Sequence, residues 1–452
     1  MARLSRGLWV ATLALVASGL SVGGQEQARP GVIYKQDPMP PGFSVVVTEL
    51  EGPVFAAPNG KTVYRWPTRS LRSGDAGELK GKPTCDSTVY RENAGLMSPY
   101  PGGLLLPNAD SRPSCVDVWP PVVAPDNAAP VGKWTVLERK DGARQWAYDG
   151  FALYTSVLDH GPGDVLGGMA QRGGDKRGAT REPVTAPHNF PSQFDVAYTP
   201  RGLMLLTKSR YSVYSHDKDG PNRSNCDSDC LGERWTPVLA PEIATPGVNT
   251  SGNWSIVTHP SGVKQWAFRG KPLYTHNLDE EDVSQVGDDV LGWDNVYVHT
   301  VSSPPRGFTY QDTRAGQVLA DARGKTIYIY YCTEDSVDQL SCDHPGAPQE
   351  YRFAVCGRGD PAFCVQNFPY VLATAADKSE SRLWSIMHID PSTGRRADAG
   401  ASGTLRVWAY RERPVYLCAR DQKPGDIECD SWGEFNGERN GFLSFWLRQD
   451  YP

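Results

Sequence analysis

The feature that most constrains the fold is an eleven-residue segment that occurs three times. Residues 144–154, 264–274 and 406–416 align without a gap, and each copy carries Trp-Ala at its third and fourth positions and Tyr at its last. A strand-like run that begins with Trp precedes each copy, and these runs start at Trp134, Trp254 and Trp384. Repeated units in a fixed order are typical of chains built from one structural unit, so the sequence predicts three homologous modules.

Two further landmarks precede each copy in the same order. A Tyr-rich run comes first, and an aromatic residue followed closely by Pro comes second; they occur at Tyr64, Tyr214 and Tyr328, and at Trp119, Trp235 and Phe368. Polar stretches rich in Pro and Gly indicate linkers between the repeats. The predicted organisation is a signal peptide over residues 1–24, a linker over 25–42, module 1 over 43–168, a linker over 169–193, module 2 over 194–303 and a divergent, Cys-rich module 3 over 304–452.

Short runs of Val, Ile, Thr, Tyr and Trp between turn residues predict an all-β fold. We expect three tandem antiparallel β modules of about seven short strands each, and the alternative is a single six-bladed β-propeller. In module 1 the Asp149-Gly150 turn predicts a tight hairpin that pairs Tyr148 with Phe151. Module 3 has Arg411-Glu412 at that turn, which leaves its geometry open.

The first 24 residues indicate export, because Arg3 and Arg6 precede an apolar run that ends in small residues. Without them the formal charge is 44 − 52 = −8, since the segment removes two of the 46 Lys and Arg and none of the 52 Asp and Glu. A mildly acidic chain without basic clusters predicts no nucleic-acid partner. No later apolar run is long enough to predict a membrane span. We expect a soluble exported protein, periplasmic or secreted.

An exported chain with an even number of cysteines is expected to form disulfides. One pair of cysteines precedes the aromatic-Pro landmark in each module, namely Cys85/Cys115, Cys226/Cys230 and Cys356/Cys364. Module 3 adds four more, Cys332, Cys342, Cys418 and Cys429, which are expected to form two more local pairs. A redox-active or metal-binding role for the C-x3-C of module 2 is the alternative to structural disulfides.

A combination of motifs points to a family. Cys226-x3-Cys230, Trp119-Pro-Pro and residues 264–274 occur together with a Tyr-x4-Asp element, which is found at Tyr154/Asp159, Tyr214/Asp219, Tyr274/Asp279 and Tyr416/Asp421. With these residues the chain resembles the tandem secreted-repeat family described as lipoproteins with a Y-x-[FWY]-x-x-D motif. The resemblance implies no particular activity. Two copies of the element depart from the motif, because Arg69 and Thr333 replace Asp, and no Cys precedes Cys85 to accept a lipid.

The Tyr-x4-Asp residues are the first candidates for binding, because a strand Tyr and an Asp in the next turn could hold a ligand together. A second Asp follows Gly in the same loops, at Asp164, Asp288 and Asp426. Carboxylates in such loops could supply oxygen ligands to Ca²⁺. The alternative, which the spacing favours, is that these Asp side chains accept hydrogen bonds from their own backbone. We therefore predict no metal and no other cofactor.

Three histidines of module 2, His216, His259 and His276, are candidates for a metal site, with structural roles as the favoured alternative. The sequence contains no nucleophile elbow, phosphate-binding loop or zinc-protease motif. We therefore expect an exported, non-catalytic binding or scaffold protein with a protein or glycan partner. The alternative is a hydrolase, or a redox or metal-handling protein, whose functional residues are unique to one module.

Overall fold

In the computed structural model the chain is all-β, as the sequence predicts, and its strands form several antiparallel sheets with a few short helices. Among the described residues the sheets close into neither a barrel nor a propeller. The structure describes residues 32–66, 78–85, 87, 114–167, 182–242, 247–248, 252–280, 284–332, 345–346, 349–379, 381–433 and 440–449.

Module 1 begins with a hairpin of two strands, continues through a Tyr strand and a one-turn helix, and ends in the repeated hairpin. Its sheets are β1-β2, β3-β7 and β4-β5-β6. The bounds are β1 Ser44–Thr48, β2 Gly52–Ala56, β3 Tyr64–Arg65, α1 Cys115–Val118, β4 Trp134–Glu138, β5 Arg144–Tyr148, β6 Phe151–Ala152 and β7 Glu182–Pro183.

Module 2 repeats this order with longer sheets, which run β8-β9-β18, β11-β16-β10-β17 and β12-β13-β14-β15. A 3-10 turn spans Val286–Asp289. The other bounds are β8 Phe194–Thr199, β9 Gly202–Thr207, β10 Tyr214–His216, α2 Ser228–Leu231, β11 Trp235–Pro237, β12 Gly247–Val248, β13 Trp254–Thr258, β14 Lys264–Phe268, β15 Lys271–Pro272, β16 Tyr274–His276, β17 Trp293–Asn295 and β18 Tyr297–Thr300.

Module 3 joins its strands into a three-stranded sheet, β19-β20-β27, and a six-stranded sheet, β22-β23-β24-β21-β26-β25. Among the described residues, two helices occur where the other modules have one short helical turn. The bounds are β19 Thr309–Thr313, β20 Gly316–Ala320, β21 Tyr328–Cys332, α3 Glu350–Gly357, α4 Pro361–Asn367, β22 Trp384–Ile389, β23 Leu405–Tyr410, β24 Arg413–Tyr416, β25 Trp432–Gly433, β26 Asn440–Ser444 and β27 Trp446–Gln449.

The three modules share the same aromatic core. In module 1, Phe43 packs on Trp134 with 4.7 Å between ring centroids, and Trp134 lies in the same buried cluster as Trp146. The equivalent contacts are Phe194 on Trp254 at 4.4 Å and Phe308 on Trp384 at 5.2 Å. Large buried aromatics supply much of the apolar area that stabilises small β modules.

The repeated hairpin has the predicted register, with Ala147 opposite Ala152 and Tyr148 opposite Phe151. The first turn residue has positive φ in every module, at 50° for Asp149, 49° for Arg269 and 50° for Arg411. Glu412 follows with φ of 60°, where modules 1 and 2 have Gly. Module 3 therefore keeps the tight turn geometry although a non-glycine residue is strained at positive φ.

The segments expected as linkers contribute partly to the sheets. Strand β7, within residues 169–193, pairs with β3, and Val184 and Ala186 beyond it are buried in the module 1 core. Tyr34, within residues 25–42, forms an isolated bridge with His188. Alternating apolar residues allow such segments to bury one face against a neighbouring sheet.

Four disulfides are present among the described cysteines, and they confirm four of the expected pairs. They join Cys85 to Cys115, Cys226 to Cys230, Cys356 to Cys364 and Cys418 to Cys429. Cys342 lies outside the described residues, so a bond between Cys332 and Cys342 stays a prediction.

Candidate functional site

Two tyrosines lie directly opposite each other in each module. Tyr214 of β10 pairs with Tyr274 of β16 across an antiparallel ladder. The equivalent pairs are Tyr64 with Tyr154 and Tyr328 with Tyr416. All six rings are buried. An antiparallel pair has local two-fold symmetry, so each ring reaches toward the loop that follows the other strand.

In module 2 each tyrosine hydroxyl donates to the aspartate that follows the opposite tyrosine, an arrangement that we call the exchange. Tyr214 donates to Oδ1 of Asp279 at 3.0 Å, and Tyr274 donates to Oδ2 of Asp219 at 2.9 Å. The sequence motif places Asp219 after Tyr214 and Asp279 after Tyr274. Each tyrosine therefore binds the aspartate of the other copy, and the exchange links the two halves of the module.

Module 1 has the same exchange with one substitution. Tyr64 donates to Asp159 at 3.0 Å, and Tyr154 donates to Oε1 of Glu78 at 2.5 Å. Glu78 is not among the residues predicted from the sequence. Arg69, which occupies the motif position, lies outside the described residues. The spacing to the first cysteine could have identified Glu78, because it precedes Cys85 by seven residues, as Asp219 precedes Cys226.

Glu78 and Asp219 also accept the same main-chain hydrogen bonds. Glu78 accepts from the N–H groups of Thr84 and Cys85 at 2.7 and 3.3 Å. Asp219 accepts from those of Asn225 and Cys226 at 2.7 and 3.2 Å. The two carboxylates are therefore structural equivalents.

Module 3 has one of the two tyrosine–carboxylate hydrogen bonds and has different contacts in place of the other. Tyr328 donates to Oδ2 of Asp421 at 3.0 Å. Gln349, seven residues before Cys356, takes the place of Glu78 and Asp219, and its Oε1 accepts from Nε of Arg352 at 2.8 Å. The buried Arg352 guanidinium lies 5.4 Å from the centroid of the Tyr416 ring. Thr333, at the motif position, lies outside the described residues.

Burial dominates the electrostatics of the three aspartates that accept from the first tyrosine of each module. It raises the pKa of Asp159 to about 7, and those of Asp279 and Asp421 to about 6, although the tyrosine hydroxyls act in the opposite direction. Burial likewise raises the pKa of Tyr64 well above its usual value, and the neighbouring Asp159 charge adds to this. Both groups of a pair therefore favour the neutral form, which suits a hydrogen bond without net charge.

The second aspartate of each loop accepts hydrogen bonds within its own turn or module. Oδ2 of Asp164 accepts from the N–H groups of His160 and Gly161 at 3.0 and 2.8 Å. Asp426 accepts in the same way from Gln422 and Lys423 at 2.8 and 2.7 Å, which lowers its pKa. Asp288 accepts from the N–H of Asn295 and pairs with Arg201, both at 3.0 Å.

The three candidate histidines of module 2 make different contacts. His216 and His276 flank a stacked pair of tryptophans, Trp235 and Trp293, whose centroids are 3.6 Å apart. His259 contacts Ser261 at 2.8 Å. Within the described part of the chain, no cluster of three or more His, Cys, Asp or Glu side chains could hold a metal ion.

Three modules meet at the turn between β1 and β2. Oε1 of Glu49 accepts from the N–H of Ser302 in module 2 at 3.0 Å and from Oγ of Ser381 in module 3 at 2.9 Å. Glu51 forms a buried ion pair with Arg411 of module 3 at 3.2 Å, and Arg411 also donates to the Val165 carbonyl. The strained turn of module 3 therefore places Arg411 at this junction, which we call the module junction.

The motif tyrosines and aspartates do not gather into a single site, because each described tyrosine–carboxylate hydrogen bond lies within one module. These buried hydrogen bonds hold the carboxylate-bearing loops against the strands that carry the tyrosines. Their role in binding a ligand stays a prediction.

An exposed aliphatic residue recurs at one position of the repeat that is not among the predicted site residues. Val123, Leu239 and Leu372 are 61%, 58% and 62% exposed. In module 1 the N–H of Ala124 donates to the Arg144 carbonyl and that of Trp146 donates to the Val122 carbonyl, both at 2.9 Å. Val123, between these bonds, faces Gln145 as a non-hydrogen-bonded pair. Its own N–H and C=O therefore point away from the sheet.

The same arrangement recurs in the other two modules. Leu239 is flanked by bonds of Ala240 to Lys264 and of Trp266 to Val238, and Leu372 by bonds of Ala373 to Arg406 and of Trp408 to Val371. We call Val123, Leu239 and Leu372, with their main-chain groups, the outer edges. The repetition could have been found from the sequence, because each residue lies between a Val and an Ala after the aromatic-Pro landmark.

The fold and its cross-links define an all-β protein of antiparallel sheets with disulfide-bonded cysteines. Comparisons with protein-family models, with curated proteins and with solved structures each find no match. Membership of the secreted-repeat family therefore stays a prediction. In the part of the chain that the structure describes, no helix has the length and apolar character needed to cross a membrane.

Proposed function

We propose that the chain is an exported, non-catalytic binding or scaffold protein of the secreted-repeat family, and that it binds a protein partner through the outer edges. The observation that carries the proposal is the threefold recurrence of an exposed aliphatic residue, Val123, Leu239 or Leu372, at one position of the repeat. Single exposed apolar residues are ordinary on protein surfaces. The same exposure at three equivalent positions indicates a shared role.

The main chain at these positions supports the choice of a protein partner. An edge residue whose N–H and C=O point outward can pair with an extended segment of another chain, and the neighbouring side chain adds apolar contact. Pro121 and Pro237 lie two residues before the outer-edge residues of modules 1 and 2. They limit the length of strand that can pair there, because proline has no N–H to donate.

The buried tyrosine–carboxylate bonds and the module junction support the scaffold part of the proposal. They tie together loops and modules that would otherwise move independently. A rigid scaffold lowers the entropy lost on binding, and three edges on one scaffold raise the apparent affinity for a partner with repeated segments.

The proposal is tested with the full chain expressed with its first 24 residues in a host that exports it. We expect mass spectrometry to find the exported chain shortened at its N-terminus. Chemical cross-linking in the exported fraction should then trap a defined partner protein, and a variant carrying Val123→Asp, Leu239→Asp and Leu372→Asp should lose it.

The matched control is Leu291→Asp, because Leu291 is 98% exposed but belongs to a turn outside the outer edges. This variant should keep the partner. Retention of the partner by the triple variant, or retention of the chain in the cytoplasm, would contradict the proposal.

A further inference from the structure

A pocket of about 420 Å³ lies where the N-terminal segment, strand β1 and module 2 meet. Most of its wall is apolar and comes from Val32, Ile33, Tyr34, Val47 and Val298. Sites for small molecules are commonly clefts of about 300–1,000 Å³ with apolar walls and a few polar groups that orient the ligand. The pocket is therefore of a size to accept a small ligand.

Arg269 is the only Asp, Glu, Lys or Arg side chain among the residues that line this pocket. Its Nη1 donates to the carbonyl of Val298 at 2.9 Å, and its Nε donates to Oδ1 of Asn253 at 3.4 Å. The guanidinium also lies 4.9 Å from the centroid of the Phe268 ring. These contacts hold the guanidinium in the pocket wall, and neither hydrogen bond uses Nη2.

Module 3 provides an internal comparison for Arg269. Arg411 occupies the same turn position with nearly the same φ, 50° against 49°. Arg411 pairs with the carboxylate of Glu51 at 3.2 Å, whereas the described partners of Arg269 are a carbonyl, an amide oxygen and an aromatic ring. Burial lowers the pKa of Arg269, which agrees with a guanidinium that has no negatively charged neighbour among the described residues.

We propose that this pocket binds a small aliphatic monocarboxylate. The carboxylate accepts from Nη2 of Arg269, and the alkyl chain lies against Val47, Val298 and the N-terminal segment. Arginine suits this role because its planar donors match a carboxylate, and the apolar wall selects the aliphatic chain. The proposal goes beyond the binding of a protein at the outer edges and does not depend on it.

The test is titration of the full, disulfide-bonded chain with octanoate by isothermal calorimetry, with 1-octanol and octylamine as ligands of the same chain length. Octanoate should bind saturably. A hydrogen bond to a charged group contributes about 1.5–3 kcal/mol, so octanol should bind at least about tenfold more weakly. Octylamine should bind more weakly still, because its charge repels that of Arg269.

Two variants change the charge in the pocket and are expected to leave the fold intact. Arg269→Asn removes the cation and keeps a residue that tolerates positive φ. Val47→Glu places a carboxylate in the pocket from an exposed position of β1. Each should weaken octanoate binding at least about tenfold without changing the cooperative unfolding of the chain.

The matched controls are Arg223→Asn, at an exposed position of module 2, and Ser44→Glu, at an exposed position of β1. Both should bind octanoate as the wild type does. Absence of saturable binding by the wild type, equal binding of octanoate and octanol, or unchanged binding by the Arg269→Asn and Val47→Glu variants would each overturn the proposal.

Discussion

Tyr214 and Tyr274 lie directly opposite each other on antiparallel strands, and each hydroxyl donates to the aspartate that follows the other. The exchange turns a sequence motif that looks local into a link between two halves of a module. It recurs with Glu78 in module 1 and is half replaced by Arg352 in module 3.

The first prediction concerns the hydroxyl of Tyr214. Tyr214→Phe removes the hydroxyl that donates to the buried carboxylate of Asp279 at 3.0 Å, while Oγ of Ser284 still donates to the same oxygen at 3.1 Å. The loss of one such hydrogen bond costs about 0.5–1.5 kcal/mol, so the free energy of unfolding should fall by about that amount in urea titrations. Tyr310→Phe, at a ring that is largely exposed, is the control and should change little. Equal effects of the two variants would show that the bond is not structural.

The second prediction concerns pH. The folded chain holds the pKa of Asp159 at about 7 and those of Asp279 and Asp421 at about 6, above the ordinary 3.8. The folded state therefore binds more protons than the unfolded state between these values, and the free energy of unfolding contributed by these groups falls as pH rises from about 4 to about 7. Unfolding measured across this range should show a smaller decline when all three are changed to Asn.

The control for the pH prediction has the opposite sign. Main-chain donors lower the pKa of Asp426, so its contribution is present above the ordinary pKa and is lost as pH falls through the folded value. Asp426→Asn should remove stability at neutral pH and leave the decline between about pH 4 and pH 7 in place. A triple Asn variant with the wild-type pH dependence would contradict the assignment.

The third prediction compares two disulfides. The bond between Cys85 and Cys115 closes a separation of 30 residues, and that between Cys226 and Cys230 closes a separation of 4. In the chain-entropy treatment these loops correspond to about 3.6 and about 1.9 kcal/mol. Replacing both cysteines of a pair by Ala should therefore lower the free energy of unfolding more for the first pair, by about 2 kcal/mol in denaturant titrations. The opposite order would contradict a stabilisation through the unfolded state.

The sequence predicted the features that depend on local pattern. The all-β class and the register of Tyr148 with Phe151 follow from short-range residue spacing. Three of the four cysteine pairs follow from their repeated place before the aromatic-Pro landmark, and the fourth follows from the closeness of its cysteines in the sequence. The exchange of aspartates could not be predicted, because it depends on strands that meet only when the sheet assembles. Glu78 could not be predicted from the motif for a different reason, because the motif places its carboxylate five residues after the tyrosine, whereas the position of Glu78 is fixed by its spacing from Cys85.

The turn at Arg411 and Glu412 shows what a departure from a pattern can mean. The turn lacks the glycine found in the other two modules, and both Arg411 and Glu412 adopt a strained positive φ. The reason for it lies in another module, because Arg411 reaches the buried carboxylate of Glu51. Such long-range pairs leave no periodic signal in one sequence.

The module junction joins the three modules into one scaffold. Glu51→Gln removes the charge that pairs with the buried Arg411, and breaking a buried pair in this way costs about 3–5 kcal/mol. Lys80→Gln is the control, because Lys80 and Asp149 form an exposed pair at 3.2 Å whose loss costs at most about 1 kcal/mol.

Differential scanning calorimetry of the wild type and these two variants tests whether the modules unfold as one unit. We expect one cooperative transition for the wild type and for Lys80→Gln, with equal calorimetric and van't Hoff enthalpies. We expect Glu51→Gln to unfold at lower temperature and in separate transitions. Several resolved transitions in the wild type, or a Glu51→Gln profile that matches the control, would contradict a scaffold joined at the module junction.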